Sequence, residues 1–341
     1  MRYVEMDQGR ARVREGPGPE TPAGFARVRV LACGVCATDL HLLNGMVLPR
    51  GASYPVRPGH EVAGVVEEVN ATESPVAVGD LAVLHPLAPC GRCPGCLRGE
   101  DQRCDHVRAL GFHDAGGFAE QVVWPVSRML PADGIEPAAA ALLADAAATA
   151  HNAVRLAGVP RGGALCVLGA GGLGSGVLGV ARALDPDLHL AAVVRSEASA
   201  DRVQGLGVEV HQGLDGAARA LRHSAGRMDA VIDFSGQADA PAVGVALLRR
   251  GGRLVLGSVV DSMLTLEVSS AFMAHELQIV GAYASGIEDL AAVIDLARDG
   301  NLDADSWVSH RLSLDEFDYA LEVAETRPPG TVRVVVEPER A

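Results

Sequence analysis

ALCVLGAGGLGSGVLGVARAL, residues 164–184, decides the fold of this 341-residue chain. The first seven residues, ALCVLGA, are apolar and predict a buried strand, because short apolar runs bounded by glycine are typical of the inside of a sheet. The residues that follow, GGLGSGVLGVARAL (171–184), predict a glycine turn that continues into a helix. This stretch therefore predicts one strand–turn–helix unit.

Further apolar segments follow this unit and predict more strands: LHLAAVV (188–194), DAVIDFSG (229–236) and GRLVLGSVV (252–260). Strands that alternate with helices indicate a parallel sheet with right-handed crossovers. The tail predicts a helix near 287–299, another near 314–325, and a last strand in TVRVVVE. The second half of the chain is therefore expected to be α/β.

The region before this unit has a different pattern. Residues 25–35 alternate like a half-buried strand, and 61–69 and 78–84 are further strand candidates, so the first 130 residues read as mostly β. PAAAALLADAAATAHNAVRLA (137–157) is rich in alanine, begins with proline and predicts a helix. A length of 341 residues suits two domains.

The glycine turn GAGGLG (169–174) matches G-x-G-x-x-G in the strand-to-helix context that a dinucleotide site requires. Gly169 allows the tight turn, Gly171 lets the backbone approach a pyrophosphate, and Gly174 lets helix and strand pack closely. Gly172 and Leu173 lie at the helix N-terminus, whose N–H groups bind phosphates. The alternative is a merely flexible glycine loop.

The end of the second predicted strand bears on the choice of cofactor. An NAD site usually has an acidic residue there, which binds the ribose 2′-hydroxyl. This chain has Arg195 and Ser196 instead, and a guanidinium can pair with a 2′-phosphate. The pattern favours NADP(H). In the alternative, Arg195 is a solvated surface residue and Glu197 binds the ribose.

Four of the seven cysteines lie within CGRCPGCLRGEDQRC (90–104). Four thiolates close in sequence predict a closed tetrahedral zinc site, and such closed sites are structural. An iron–sulfur cluster is the main rival, because the spacing of cysteines does not exclude it. A disulfide knot is disfavoured in a chain with an odd number of cysteines. The predicted ligands are Cys90, Cys93, Cys96 and Cys104.

A second group of candidate ligands is scattered over GVCATDLH, PGHE and LLADAAAT. One Cys, one His and one carboxylate would form an open zinc site with a position left for water or a substrate oxygen. Cys36, His60 and Asp145 are the candidates, and each has a plain alternative as a core or surface residue. A carboxylate on so apolar a helix as that of Asp145 requires a charged partner.

Composition excludes several classes of partner. The net charge of −14 and the absence of a basic run argue against nucleic acid. No uninterrupted apolar stretch reaches about 18 residues, so no membrane span is expected. The opening MRYVEMDQGR lacks the apolar region of a signal peptide. We therefore expect a cytoplasmic protein with reduced thiols.

Taken together, these motifs resemble those of the zinc-dependent medium-chain alcohol dehydrogenases. The resemblance runs from GVCATDLH through GHE, the four-cysteine loop and GAGGLG to the final strand, and the ordered set is far more specific than any one motif. It implies a GroES-like, mostly-β catalytic domain over 1–148 and a Rossmann domain with a doubly wound parallel sheet over 149–285. Residues 286–341 would form a C-terminal segment that returns to the catalytic domain.

The resemblance also implies roles for single residues. Cys36, His60 and Asp145 would hold the catalytic zinc, although many members have cysteine in place of Asp145. Asp39 would orient the zinc-bound histidine. Glu61 would approach the zinc transiently during ligand exchange. The four loop cysteines would hold a structural zinc, which makes two zinc ions per chain.

Three further residues complete the reaction that the resemblance implies. Zinc would polarise the substrate oxygen, and a nicotinamide would exchange hydride with the adjacent carbon. Thr38 would receive the alcohol proton and pass it through the cofactor ribose to His41. Thr149 would lie near the nicotinamide. The implied activity interconverts an alcohol and its aldehyde or ketone in a homodimer or homotetramer.

Three other functions stay open at this point. A polyol or sugar dehydrogenase of the same superfamily would use the same zinc, and only the substrate pocket distinguishes it. Mostly apolar pocket candidates favour a lipophilic substrate: Leu43, Met46, Tyr54 and Leu87. A zinc-stabilised NADP-binding protein without turnover should have lost a ligand or relay residue, and none is missing. A zinc-free quinone reductase has no use for either group of ligands.

Overall fold

The structure is a computed structural model that describes residues 1–217, 220–221, 226–258 and 270–340. Its strands are, in chain order, β1 (Arg2–Asp7), β2 (Arg10–Glu15), β3 (Phe25–Val35), β4 (Glu61–Asn70), β5 (Leu81–Leu84), β6 (Leu87–Ala88), β7 (Arg108–Ala109), β8 (Gln121–Pro125), β9 (Met129–Pro131), β10 (Ala164–Leu168), β11 (His189–Val194), β12 (Glu209–Gln212), β13 (Met228–Asp233), β14 (Leu248–Leu256), β15 (Gln278–Gly281), β16 (Val308–Leu312) and β17 (Arg333–Val336).

The α-helices are α1 (Ala37–Leu43), α2 (Pro94–Leu97), α3 (Pro137–Leu142), α4 (Ala148–Ala157), α5 (Gly172–Leu184), α6 (Glu197–Gln204), α7 (Ala240–Leu247), α8 (Ser270–Ala274), α9 (Ile287–Arg298) and α10 (Phe317–Thr326). A π-helix spans Leu143–Ala147, and short 3-10 turns span Asp101–Arg103, Val126–Arg128, Asp305–Trp307 and Leu314–Glu316. Among the described helices, none is long and apolar enough to cross a membrane.

The chain divides into two compact units. The first unit contains Met1–Ala148 together with Ser285–Ala341, and the second contains Thr149–Ala284. Ser285, which the sequence prediction placed at the end of the Rossmann domain, falls in the first unit. The physical reason is a hydrogen-bonding partner in that unit, because the imidazole of His85 lies 3.2 Å from the Ser285 carbonyl oxygen.

The first unit is built on a seven-stranded sheet with the order β16-β17-β3-β4-β5-β9, and β8 also pairs with β3. The long strand β3 is central because it pairs antiparallel with β4, β8 and β17. From Phe25 to Ala32 its residues alternate between half-buried and buried, as a strand with one face on a core requires, and its last three residues are all buried. The core contains the fully buried rings of Trp124 and Phe118.

The second unit contains a six-stranded sheet with the order β12-β11-β10-β13-β14-β15. Every neighbouring pair is parallel, which confirms the predicted parallel sheet. The chain moves outward from β10 to β12 and then returns to build β13 to β15 on the other side of β10. The strand order therefore reverses between β10 and β13, which is where such sheets bind ligands. Residues 259 and 260 of the predicted strand 252–260 lie outside the described residues.

Candidate active site and metal centres

One cluster of candidate ligands lies in the first unit. The ligand atoms of Cys36, His60, Glu61 and Asp145 all lie within 4.8 Å of one another, although the four residues come from three distant segments. Cys36, His60 and Glu61 are buried, and the Asp145 side chain is 16% exposed. The fold thus brings together all three of the predicted catalytic ligands, and it adds Glu61 to them.

The end of β3 delivers Cys36 to this cluster. Cys36 is the N-cap of helix α1, and its backbone N–H donates to Oδ2 of Asp39 over 2.9 Å. This bond satisfies a backbone donor that the helix itself cannot use. It also fixes the buried Asp39 carboxylate, whose other oxygen lies 4.0 Å from Nδ1 of His60. A helix start therefore positions both a ligand and the partner of a ligand.

His60 and Glu61 are held at the start of β4 by a close backbone approach. Gly59 has φ +104, and a Cβ there would lie 2.6 Å from the backbone N of Phe118. Only glycine fits a backbone that is both left-handed and this crowded. The close packing of residues 116–118 against Gly59 therefore fixes the direction in which His60 points.

Asp145 lies in a π-helix between α3 and α4. The sequence predicted one continuous helix over 137–157, and the structure interrupts it by a π turn over Leu143–Ala147. Such turns occur frequently at functional sites, because the wider turn changes the direction of a side chain. Here Oδ2 of Asp145 lies 3.6 Å from Nε2 of His60. Alanine content gave no signal for this interruption.

Glu61 has a partner that sequence analysis missed. The guanidinium of Arg333 on β17 donates to both carboxylate oxygens of Glu61, and both side chains are buried. A buried charge requires such a partner. The available signal was the single arginine beside a run of valines in the predicted strand TVRVVVE. Gly34 on β3 leaves room for the pair, because a Cβ there would lie 2.0 Å from Oε2 of Glu61.

The electrostatics of the cluster follow from burial and close charges. Burial raises the pKa of Asp39, although His60 and the backbone N–H of Cys36 oppose this. Burial alone would lower the pKa of His60, but contacts with Asp145, Cys36 and Asp39 outweigh it and hold that pKa well above its usual range. Burial also raises the pKa of Glu61, against the opposing effect of Arg333. The cluster thus holds more acidic side chains than the positive charges of His60 and Arg333 can neutralise.

A divalent cation fits this donor set. Thiolate, imidazole and carboxylate are the ligands that zinc accepts. Nε2 of His60 faces the cluster, while Nδ1 faces Asp39. Neither His60 Nδ1 nor Asp39 Oδ1 has a hydrogen-bond partner among the described residues, and both atoms are buried. A metal-bound imidazole would donate its Nδ1–H toward this carboxylate, as metal-bound histidines usually do.

The two predicted relay residues lie on helix α1, next to this cluster in sequence. The Thr38 hydroxyl lies 3.7 Å from Sγ of Cys36. Thr38 is half-buried, whereas His41 is exposed. Three of the pocket candidates pack against the core of the same unit: Leu43, Met46 and Tyr54. The Tyr54 hydroxyl, however, lies 2.9 Å from the Leu42 carbonyl oxygen and therefore anchors the end of α1.

The four loop cysteines form a second cluster in the first unit. Their sulfurs all lie within 4.8 Å of one another, with Cys93–Cys96 at 3.4 Å and Cys90–Cys96 at 3.9 Å. These separations are far longer than a disulfide bond of about 2.05 Å. Four sulfurs at about 2.3 Å from a tetrahedral zinc ion would lie about 3.8 Å apart. The arrangement therefore fits a closed four-thiolate metal site.

Backbone N–H groups in this loop point at the sulfurs. The N–H groups of Cys90 and His106 donate to Sγ of Cys104 over 3.2 and 3.3 Å. Hydrogen bonds from the backbone of Cys96 and Asp105 lower the pKa of Cys93 to about 6. Burial and the neighbouring thiols raise the pKa of Cys96 to about 12. The backbone N–H groups therefore favour the thiolate at Cys93, and a bound cation would favour the thiolate at all four cysteines.

The glycine turn lies in the second unit, at the carboxyl end of β10. Gly169 has φ +86, and a Cβ there would lie 2.5 Å from Cα of Ser235. A Cβ on Gly174 would lie 1.9 Å from the Gly169 carbonyl oxygen. Gly171 is the N-cap of α5, and the helix begins at Gly172 and Leu173. The N–H groups of this first turn are directed to the place where the strand order reverses.

The remaining predicted cofactor residues also lie in the second unit. Arg195 directly follows β11 and is exposed. Ser196 is the N-cap of α6, where its hydroxyl accepts from the Ser199 N–H over 3.3 Å. Thr149 lies near the start of α4 and is 8% exposed. One arginine was not predicted: Nη1 of Arg202 on α6 donates to the Ala170 carbonyl oxygen in the glycine turn over 3.2 Å.

Comparisons with known proteins agree with this geometry. Residues 22–134 match the alcohol dehydrogenase GroES-like domain family. The chain is 32% identical to L-galactonate-5-dehydrogenase of Escherichia coli K12 over 289 residues, 84% of each protein. It is 30% identical to NAD-dependent alcohol dehydrogenase of Sulfolobus acidocaldarius over 314 residues, 90% of each. A zinc-binding dehydrogenase from Sinorhizobium meliloti 1021 bound to NADP has a similar structure, with TM-score 0.89, 28% identity and 99% of each chain covered.

Proposed function

Because the chain belongs to the zinc-type medium-chain alcohol and polyol dehydrogenases, we propose that Cys36, His60 and Asp145 hold its catalytic zinc and that it prefers NADP(H). As a member, the chain is an NAD(P)-dependent oxidoreductase that interconverts an alcohol and its aldehyde or ketone by hydride transfer. The observation that carries the proposal is the buried cluster of four ligand atoms within 4.8 Å.

Cys36, His60 and Asp145 would hold the zinc ion, which would supply Lewis-acid chemistry at the substrate oxygen, and a bound nicotinamide would supply hydride chemistry. The chain supplies position and proton transfer. Asp39 faces Nδ1 of His60 and would keep the imidazole in the orientation that directs Nε2 to the metal. The backbone N–H of Cys36 holds Asp39 in this place.

Proton transfer would begin at the Thr38 hydroxyl. Its Oγ1 lies 3.7 Å from a proposed ligand atom, so an alcohol at the open ligand position would be close to it. A hydroxyl can accept one proton while it donates its own, which suits it to a relay. His41, on the exposed side of the same helix, would pass the proton to solvent.

Glu61 would serve as a reserve carboxylate. It belongs to the ligand cluster, yet Arg333 binds both of its oxygens. The ion pair compensates the buried charge of Glu61 without a metal bond. Glu61 would therefore move toward the metal only while substrate or product leaves. The four loop cysteines would hold the second, structural zinc ion.

The preference for NADP(H) rests on Arg195. Its position after β11 is where an acidic residue would bind the ribose 2′-hydroxyl of NAD. An exposed guanidinium favours a 2′-phosphate instead. A solved relative, 28% identical in sequence, is bound to NADP, whereas three curated relatives are named NAD-dependent alcohol dehydrogenases. We expect Arg195→Asp to raise the KM for NADPH about tenfold or more, as loss of a charged hydrogen-bond pair implies.

Glu197 provides the control for this substitution. If Glu197 binds the ribose, Glu197→Ala should weaken NADH use and Arg195→Asp should leave the ratio of NADPH to NADH use unchanged. If Arg195 selects the cofactor, Arg195→Asp should lower the ratio of NADPH to NADH use, and Glu197→Ala should leave NADH use unchanged. The ratio of kcat/KM values for the two cofactors decides between these outcomes.

The substrate is proposed to be a lipophilic alcohol, aldehyde or ketone, because the pocket candidates are mostly apolar. A second candidate is a polyol or sugar acid, which the similarity to L-galactonate-5-dehydrogenase favours. The initial rates of NADPH and NADH oxidation should be measured with zinc-replete protein on aromatic and aliphatic aldehydes, ketones and keto sugars. Fast turnover of apolar carbonyls supports the first candidate, and turnover confined to sugars supports the second.

Two further parts of the proposal concern the protein in the cell. We propose a homodimer or homotetramer, which light scattering of the purified protein would test. We also propose a cytoplasmic location, in keeping with seven cysteines that are all free thiols.

A further inference from the structure

A strained turn follows β15 in the second unit. The strand ends at Gly281, and the Ala282 N–H still donates to the Leu256 carbonyl oxygen over 2.8 Å. Two residues later, Ala284 has φ +45. Residues with a Cβ rarely adopt this left-handed backbone, because the Cβ crowds the following carbonyl oxygen. Other contacts must therefore hold the turn in place.

Asn152 on α4 supplies such contacts. Its Nδ2 donates to the carbonyl oxygen of Ala284 over 2.8 Å and lies 3.4 Å from that of Tyr283. Its Oδ1 accepts from Nη2 of Arg155 over 2.7 Å. The Asn152 side chain is 1% exposed, so water does not compete for these bonds. One buried amide thus ties helix α4 to both carbonyls of the strained turn.

The location of this turn connects it to the cofactor. All strands of the sheet are parallel, so the carboxyl end of β15 lies at the same edge as the glycine turn after β10. Arg195 and the glycine turn occupy the half of the sheet built from β10 to β12. A dinucleotide that crosses the reversal point places its second nucleotide over β13 to β15. That nucleotide carries the nicotinamide.

Helix α4 supports the same location. Thr149 and Asn152 are three residues apart and therefore lie on one face of the helix. Thr149 is the residue that the resemblance implies near the nicotinamide, and it is 8% exposed. The face of α4 that carries Thr149 is thus the face that holds the 283–284 turn.

We infer that Asn152 is a positioning residue for the nicotinamide half of the cofactor, acting through the backbone of Tyr283 and Ala284. This inference rests on the proposed dinucleotide function. Asn152 itself touches no reacting atom. Its amide fixes a turn that forms part of the wall at this edge of the sheet, so that the wall is in place before the cofactor binds.

The test compares whole dinucleotides with fragments that lack the nicotinamide. Two variants remove the amide donor: Asn152→Ala, and Asn152→Asp, which keeps the shape and the acceptor for Arg155. The dissociation constants of NADPH and 2′,5′-ADP, and of NADH and ADP-ribose, are measured by titration calorimetry with the full chain. We expect each variant to weaken dinucleotide binding about five- to tenfold, as loss of a buried hydrogen bond implies. Fragment binding should change less than twofold.

A rescue experiment separates this role from helix packing. Glycine adopts φ +45 without penalty, so Ala284→Gly in the Asn152→Ala background should recover most of the lost dinucleotide affinity. Asn70→Ala is the matched control, because Asn70 also donates its amide to a carbonyl oxygen over 2.8 Å, in the first unit. This control should change neither affinity.

Several outcomes would overturn the inference. Equal loss of fragment and dinucleotide affinity would assign Asn152 to general packing of the unit. Failure of Ala284→Gly to rescue would mean that Asn152 does not act through the turn. If the unaltered protein bound neither dinucleotide, the proposed function itself would be wrong and the inference would end with it. Binding by the unaltered protein therefore distinguishes the two failures.

Discussion

Among the three proposed zinc ligands, Asp145 is the one whose residue type departs from the resemblance, which implies cysteine at this position in many members of the family. Its place in the structure argues for it, because Oδ2 lies 3.6 Å from Nε2 of His60 and within 4.8 Å of the other ligand atoms. Sequence alone raised the question through one carboxylate in an alanine-rich helix. The π turn that aims the carboxylate at His60 became apparent only in the structure.

We predict that Asp145→Ala loses one of two zinc ions per chain, because the catalytic zinc loses a ligand. We expect kcat to fall by at least about a hundredfold, because no Lewis acid then polarises the substrate oxygen. Zinc content by atomic absorption and steady-state rates check this. Asp145→Cys should retain both ions, because a thiolate is also a zinc ligand. Asp299→Ala, on an exposed helix end, is the control. Two zinc ions and normal turnover in Asp145→Ala would contradict the assignment.

At the scale of elements, three strands combine to hold Glu61. It pairs in register with Gly34 on β3, and Gly34 pairs in turn with Val335 on β17, the strand that carries Arg333. A Cβ on Gly34 would lie 2.0 Å from Oε2 of Glu61 and 2.9 Å from Leu142. Because Gly34 on β3 has no side chain, there is room for the buried ion pair between Glu61 on β4 and Arg333 on β17.

Gly34→Ala should accordingly lower the free energy of unfolding by about 2–3 kcal/mol, in the range of overpacked or network-breaking substitutions. It should also lower zinc content, because the clash would shift Glu61 and with it the adjacent ligand His60. Urea denaturation and metal analysis measure the two effects. Gly281→Ala is the matched control, because Gly281 also lies in a strand and nothing lies within 4 Å of its Cβ position. Equal stability losses in the two variants would refute this explanation.

The four-cysteine loop is an element whose stability depends on its metal. Only a four-residue helix, Pro94–Leu97, and a 3-10 turn, Asp101–Arg103, give it regular structure. Cys96→Ser should therefore lose one zinc ion and lower the thermal midpoint by several degrees, while the hydride step changes little. Calorimetry and the deuterium isotope effect on kcat check the two parts. Loss of chemistry in a fully stable variant would show that the site is not structural.

Periodicity and glycine turns predicted the elements that repeat a simple pattern. The strand–turn–helix unit at 164–184 appears as β10 and α5, and the helix near 287–299 appears as Ile287–Arg298. Short pairings such as β6 with β7 are two residues long and leave no pattern to detect. The Arg333–Glu61 pair joins residues 272 positions apart. Such contacts depend on the tertiary fold, so sequence periodicity cannot reveal them.

At the scale of the whole first unit, polar contacts connect the metal loop to the point where the chain returns at Ser285. Asp101 in the loop pairs with Nη1 of Arg128 over 2.8 Å, and both side chains are largely buried. The backbone N–H of His85 donates to the backbone carbonyl oxygen of Arg128, also over 2.8 Å. The His85 imidazole in turn contacts the carbonyl and hydroxyl oxygens of Ser285. Its other nitrogen faces Leu87.

His85 makes this connection sensitive to pH. Burial and the nearby Arg128 charge lower the pKa of His85 to about 4, although Asp101 and the backbone contacts oppose this. In the unfolded chain the imidazole titrates near its usual value of about 6.5. Between these values the unfolded state binds more protons than the folded state, so stability rises with pH. The contribution of His85 is complete above about pH 6.5 and is lost as the pH falls toward 4.

We predict that the free energy of unfolding of the unaltered protein falls by roughly 3 kcal/mol more between pH 6.5 and 4 than that of His85→Gln, since each pKa unit corresponds to about 1.4 kcal/mol. Glutamine retains a donor and an acceptor but does not titrate. Urea denaturation at each pH measures the difference, and carboxylates and zinc ligands common to both proteins cancel from it. His310→Gln, at a partly exposed histidine of β16, should keep the full pH dependence. Parallel pH profiles for the unaltered protein and His85→Gln would mean that the folded state tolerates a charged imidazole at this junction.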